Sequence, residues 1–194
     1  MFKRLARGLR HTVTIIRALP TAPKRELLGR MIAFSRALPQ QFNQPLPEMM
    51  AQLTPPDASA NTLPGRAQPP FGTGQRMSES GRNFDFDRQG TQEALGGLTA
   101  DDIRQLADAV AAWHLRSPLG ICLRRSLLRY YFLREVKVPA HVVFGARLKD
   151  RQEGGGLGGH AWLTLNDAPY YENPDDYTGF VVMYVYPQTV DGSR

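Results

Sequence analysis

The 194-residue chain changes its hydrophobic period twice. Phe2, Leu5, Leu9, Val13 and Ile16 recur at steps of three and four, which places them on one face of an amphipathic helix. Pro20 and Pro23 end that segment, and residues 24–38 offer a second helix carrying Leu27, Leu28, Met31, Ile32 and Leu38. Across 39–90 the period is lost. Pro39, Pro45, Pro47, Pro55, Pro56, Pro64, Pro69 and Pro70, with several glycines, describe a linker or an extended wrap. A structureless stretch of that length is unusual inside a compact domain, so the boundary is placed there.

From Thr99 the pattern tightens. Thr99 precedes Asp101 and Asp102, the signature of an N-cap with acids in the first turn. Ile103, Leu106, Ala107, Val110 and Trp113 then mark one helical face, and Pro118 closes the segment. Cys122 opens the next helix, followed by Leu123, Leu127, Tyr130 and Tyr131. It ends before Pro139, because the residue preceding a proline is pushed out of the α region. Beyond it the period drops to two. Residues 140–148, 160–165, 169–172 and 179–187 read as strands, with a mobile Gly-rich connection after the first and a turn at Asn166-Asp167. Helices followed by an antiparallel run give an α+β domain whose sheet packs against the cysteine helix. The expected domains are a basic helical arm (1–38), the linker (39–90) and a C-terminal domain (91–194).

Charge sharpens this division. Residues 1–40 hold nine Lys/Arg against one acid, Glu26, a net of +8, whereas the remainder is −2. The arm is therefore either packed on its own domain with solvated charges, or docked on an anionic membrane surface or an acidic partner. Aromatic residues able to stack on bases are scarce in it, which argues against nucleic acid. No run approaches the roughly 18 uninterrupted apolar residues of a transmembrane helix. The N-terminus lacks a secretory pattern, and a single cysteine excludes an internal disulfide, so a reducing, cytoplasmic setting is expected.

That cysteine carries the candidate chemistry. A thiol attacks as the thiolate, and a free cysteine, with a pKa of about 8.5, is mostly protonated at neutral pH. A helix N-terminus and a neighbouring imidazolium both favour the anion, and the free N–H groups of a first turn also hold an oxyanion. Cys122 follows Pro118 and Gly120 into such a first turn. The competing reading is a buried structural thiol. Among the four histidines, His160 opens a strand and precedes Trp162, whose ring can shield it; His11 lies in the basic arm, His114 in the helix before Cys122, and His141, at a strand start, is the competitor. His160 and Glu172 each lie six residues from Asn166, so a hairpin with that centre makes them cross-strand neighbours. Asp175 and Asp176 lie beyond Pro174 and are poorer candidates. Arg124, Arg125 and Arg147 are either solvated charges or attractants for an acidic substrate.

These residues resemble a known family. CLRRSLLRYYFLREVKVPAHVVFGARL and GGHAWLTLNDAPYYENPD are similar to the transglutaminase-like cysteine protease superfamily, and within it to the branch of the lasso-peptide B proteins, the microcin-processing leader peptidases. Cys122, Leu123, Arg125, Ser126 and Leu127 match the helix start of that branch. Pro139, Gly145 and Arg147 match its strand segment, and His160, Ala161, Trp162 and Glu172 match its His-Ala-Trp and following acid. The resemblance spans roughly residues 100–187 and implies a papain-like α+β core.

It further implies a cysteine peptidase with Cys122 as nucleophile, His160 as base and Glu172 as orienting acid, using no cofactor and no metal. The implied reaction removes the leader from a ribosomally made precursor peptide through an acyl-enzyme. Glu172 stands where many relatives have Asp. Residues 1–90 match no leader-recognition domain, so the expected partners are the precursor, a separate leader-binding protein and a peptide cyclase. Two other readings stay open: a non-catalytic peptide-binding scaffold of the same fold, and an acyltransferase using the same triad.

Overall fold

The computed structural model describes residues 11–16, 18, 20–55, 97–113 and 117–188. Two helices, α1 (Ala22–Gln41) and α2 (Leu46–Leu53), precede α3 (Ala100–Trp113) and α4 (Ile121–Glu135). The chain then forms β1 (Ala140–Leu148), β2 (Leu157–Leu165), the two-residue β3 (Ala168–Pro169), the single turn α5 (Pro174–Tyr177) and β4 (Val181–Tyr186). The four strands make one antiparallel sheet in the order β3-β2-β1-β4. This is a mixed helical and antiparallel-sheet architecture, with α4 packed on β1 and β2.

Helix α1 runs from the stretch read as a basic arm into the stretch read as a linker, with Pro39 inside it, and α2 lies within the latter. Both begin with proline in the first turn, Pro23 and Pro47, where the missing N–H has no intrahelical partner to lose. The prolines that looked like breakers therefore start helices. Leu27, Leu28, Met31 and Leu38 of α1 and Met49, Met50 and Leu53 of α2 are buried in the same core as Ile103, Leu127, Leu133, Val142 and Leu163. Polar contacts follow. Lys24 pairs with Asp102 at 2.7 Å, and Arg30 pairs with Glu135. The buried Tyr130 hydroxyl of α4 donates to Thr54 Oγ1 at 2.9 Å, since the Thr54 hydroxyl itself donates to the Met50 carbonyl. Residues 1–10, which carry Phe2, Leu5 and Leu9, lie outside the described residues, as does His114.

The start of α3 is a reciprocal cap. The Asp102 N–H donates to Thr99 Oγ1 and the Thr99 N–H donates to Asp102 Oδ2, both at 3.1 Å. Trp113, expected on the buried face, is 64% exposed, although Val110 and Ala111 just before it are buried. At the β2–β3 turn Asn166 and Asp167 both take positive φ, 50° and 62°, as a two-residue type I′ hairpin requires. No helix of the described residues is long and apolar enough to cross a membrane.

Because α1 shares the core, Met31→Ala, at a fully buried site, should cost about 2–5 kcal/mol in chemical denaturation, with one cooperative transition. A detachable arm would leave the transition of the remaining domain where it was.

Candidate active site

Cys122 is the second residue of α4, half-buried and free. Gly120 precedes the helix in an extended conformation (φ −58°, ψ 149°) with no side-chain cap, so no side chain competes for the first-turn N–H groups. On this helix Cys122, Arg125, Ser126 and Arg129 fall at i, i+3, i+4 and i+7, one continuous face. That face meets β2. The buried Ser126 hydroxyl donates to the Ala161 carbonyl at 2.8 Å. One turn of helix therefore separates Cys122 from a residue hydrogen-bonded to the neighbour of His160. The sheet register is fixed as well, with His160 opposite Gly145 on β1.

Aromatic rings bracket the imidazole. His160 stacks on Trp162 at 5.7 Å between centroids and lies 5.4 Å from Phe180, while Trp162 stacks in turn on Tyr177 at 6.0 Å. Glycine at 145 is required by this stack: a Cβ there would come within 2.7 Å of the Trp162 ring. Burial holds the His160 imidazole below its ordinary 6.5, the Arg125 guanidinium acts in the same direction, and Asp176 opposes both. His160 Nε2 is buried and has no hydrogen-bond partner. His141, on the same strand face as Gly145, is also held low by burial and by Arg134.

Glu172 is placed differently from the hairpin expectation. The ladder pairs Thr164 with Pro169 and Leu165 with Ala168, and the Tyr170 N–H reaches the Leu163 carbonyl. Continued, that register would set Ala161, not His160, opposite Glu172. It does not continue, because Tyr171 takes a positive φ of 51° and turns the chain away. The Glu172 side chain is fully buried. Arg129 Nη1 donates to its Oε1 at 2.9 Å and Arg125 Nη2 donates to its Oε2. Burial pushes this carboxyl up, whereas Arg125 and Arg129 pull it down. Arg129 is itself buried and also donates from Nε and Nη2 to Asp108 on α3, at 2.8 and 2.9 Å. The structure thus places Cys122 one helical turn from a residue hydrogen-bonded to the strand that carries His160. It holds Glu172 on two guanidiniums, with no hydrogen bond to His160.

Arg129 and Asp108 are site-building residues that sequence reasoning missed. The available signal was Arg129 itself, one turn beyond Arg125 on the Cys122 face, since an arginine that faces the interior demands a buried acid. The cations read as attractants are engaged internally: Arg125 with Glu172, and Arg147 bidentate with Glu153 at 2.6 and 2.7 Å. Among the described residues no group of three His, Cys, Asp or Glu side chains is arranged to hold a metal ion.

Glu172→Gln leaves Arg125 and Arg129 short of a charge in a buried site and should lower stability by about 2 kcal/mol in denaturant titration. Unchanged stability would show that these pairs are not formed in solution. A second outcome concerns pH. Since folding lowers the pKa of His160 and His141, the unfolded chain takes up protons first as pH falls below 6.5. Their effect on stability is absent above that pH and grows as a loss below it. His160→Gln and His141→Gln should each flatten that acid-side decline in thermal melts.

One comparison with known proteins bears on this corner. A family model described as the transglutaminase-like superfamily matches residues 81–185, more than half of the chain, including Cys122, His160 and Glu172. No curated protein and no solved structure matches it. With a half-buried cysteine at a helix start tied to a histidine strand, and this family match across both, the chain belongs to the transglutaminase-like superfamily.

Proposed function

We propose that the protein is a cysteine peptidase that removes the leader from a ribosomally made precursor peptide through an acyl-enzyme on Cys122. The observation that carries this reading is the Ser126–Ala161 hydrogen bond, which ties α4, one turn after Cys122, to the His160 strand. Membership of a superfamily built around cysteine-dependent enzymes supports it.

In this reading the Cys122 thiol gives its proton to His160 as sulfur attacks the scissile carbonyl. The N–H groups of the uncapped first turn stabilise the oxyanion. His160 passes the proton to the departing amine, leaving a thioester. Water then attacks, again deprotonated by His160, releasing the carboxylate and restoring the thiol. The depressed pKa of His160 suits a base that is neutral in the resting enzyme. In this reading Glu172 orients the imidazole after Arg125 yields one carboxylate oxygen.

The engagement of Glu172 by two arginines favours a second reading, a peptide-binding scaffold of the same fold without turnover. Alkylation separates them. A peptidase should react with iodoacetamide at neutral pH roughly tenfold faster than a free thiol. His160→Gln should return Cys122 to the free-thiol rate. A wild-type rate equal to glutathione overturns the catalytic reading. Product mass spectra with added amine then distinguish hydrolysis from acyl transfer.

A further inference from the structure

Among the described residues the outer edge of β2 is unpaired at 157–160. In an antiparallel strand alternate residues turn both N–H and C=O to the same side. The Ala161 carbonyl accepts from Ser126 and the Leu163 carbonyl accepts from Tyr170, so both face away from β1. Gly159 and Leu157 share that parity and present their backbone groups outward. Among the described residues β3 pairs only with Thr164 and Leu165, which leaves no strand on 157–160. Gly159 is exposed, and a Cβ built on it meets nothing within 4 Å.

This edge lies at the Cys122 end of the sheet. Along α4, Ser126 meets residue 161, and one turn later the Tyr130 ring meets Tyr186, which pairs with Val142. The helix therefore runs away from 157–160, and its N-terminus points back toward them. Apolar side chains surround the gap. Leu157 and Leu148 are cross-strand partners, 71% and 81% exposed, and Ile121 at the helix start is 54% exposed. An edge of free backbone groups flanked by uncovered leucines is built to add an extended, apolar strand.

We infer that the 157–159 edge of β2 binds the substrate's acyl-side segment as an added antiparallel strand, with an alternate apolar side chain seated on Leu157 and Leu148. This rests on the peptidase reading. It gives the substrate class as an extended peptide with apolar residues before the scissile bond. Val181, Val182 and Met183 are also exposed, but they lie on β4 at the opposite edge of the sheet.

The test uses three probes on the full chain: acetyl-Val-Leu-Val-Gly chloromethyl ketone, its backbone N-methylated form, and acetyl-Ser-Asn-Ser-Gly chloromethyl ketone. Each is read against chloroacetamide by mass spectrometry of Cys122. In each case sulfur forms a C–S bond as chloride leaves, and the thiol proton goes to His160. The apolar peptide should react about tenfold faster than its N-methylated form, the worth of about two backbone hydrogen bonds. It should also outpace the polar probe, and Leu157→Ser should narrow that gap. Equal rates for the parent and N-methylated probes overturn the strand-addition inference. Equal rates for apolar and polar probes overturn the apolar seat. The chloroacetamide arm reads the nucleophile alone, so a rate there no higher than a free thiol's sinks the peptidase reading instead.

Discussion

The buried Arg129 guanidinium is the interaction on which the site's geometry depends. A charge held at 2% exposure persists only if its donors are taken by acids, and here two acids from different parts of the chain supply them. Asp108 fixes α3 to α4, and Arg104 joins the group through the same carboxylate at 3.5 Å. Glu172 fixes the segment after β3 to the helix that carries Cys122. Removing either acid strands a charge in the interior, so the pairs act as a register device whether or not they add net stability.

That device has a cost for the reading of Glu172 as an orienting acid. A carboxylate has two oxygens, and Arg125 and Arg129 take one each. Arg129 is buried and doubly engaged, whereas the Arg125 side chain is 25% exposed and holds only Glu172. Of the two, Arg125 is the one that water or a substrate group can draw off. The orienting role proposed for Glu172 and the observed Arg125 ion pair thus compete for the same carboxylate oxygen.

Much of the fold was legible in the sequence. Strand β1 falls on the β-rich run 140–148, and the helix opening at Cys122 and closing before Pro139 is α4. The Thr99 cap and the Asn166-Asp167 turn are local chemistry and could be read locally. What escaped was non-local or relied on proline as a breaker. Helix α2 starts at a proline pair, and although Leu46, Met49, Met50 and Leu53 stand at i, i+3, i+4 and i+7, the pattern spans only two turns and the surrounding prolines masked it. The Arg129–Glu172 pair joins residues 43 apart, and nothing in the spacing of either announces the other. The hairpin centre was readable, but the length of its ladder was set by Tyr171 and by the pull of the arginines.

These two facts are connected. Had β3 continued in register, Glu172 would stand on the edge of β2 near Ala161, and the outward backbone groups of Gly159 and Leu157 would face a partner strand. Tyr171 instead breaks the ladder after Pro169, and Glu172 drops onto Arg125 and Arg129. Asn173 then caps the single turn α5, whose Tyr177 stacks on Trp162 behind His160. The capture of Glu172 by α4 therefore does two things at once. It anchors the segment that backs the imidazole, and it keeps the third strand short, so that among the described residues no strand pairs with the start of the histidine strand.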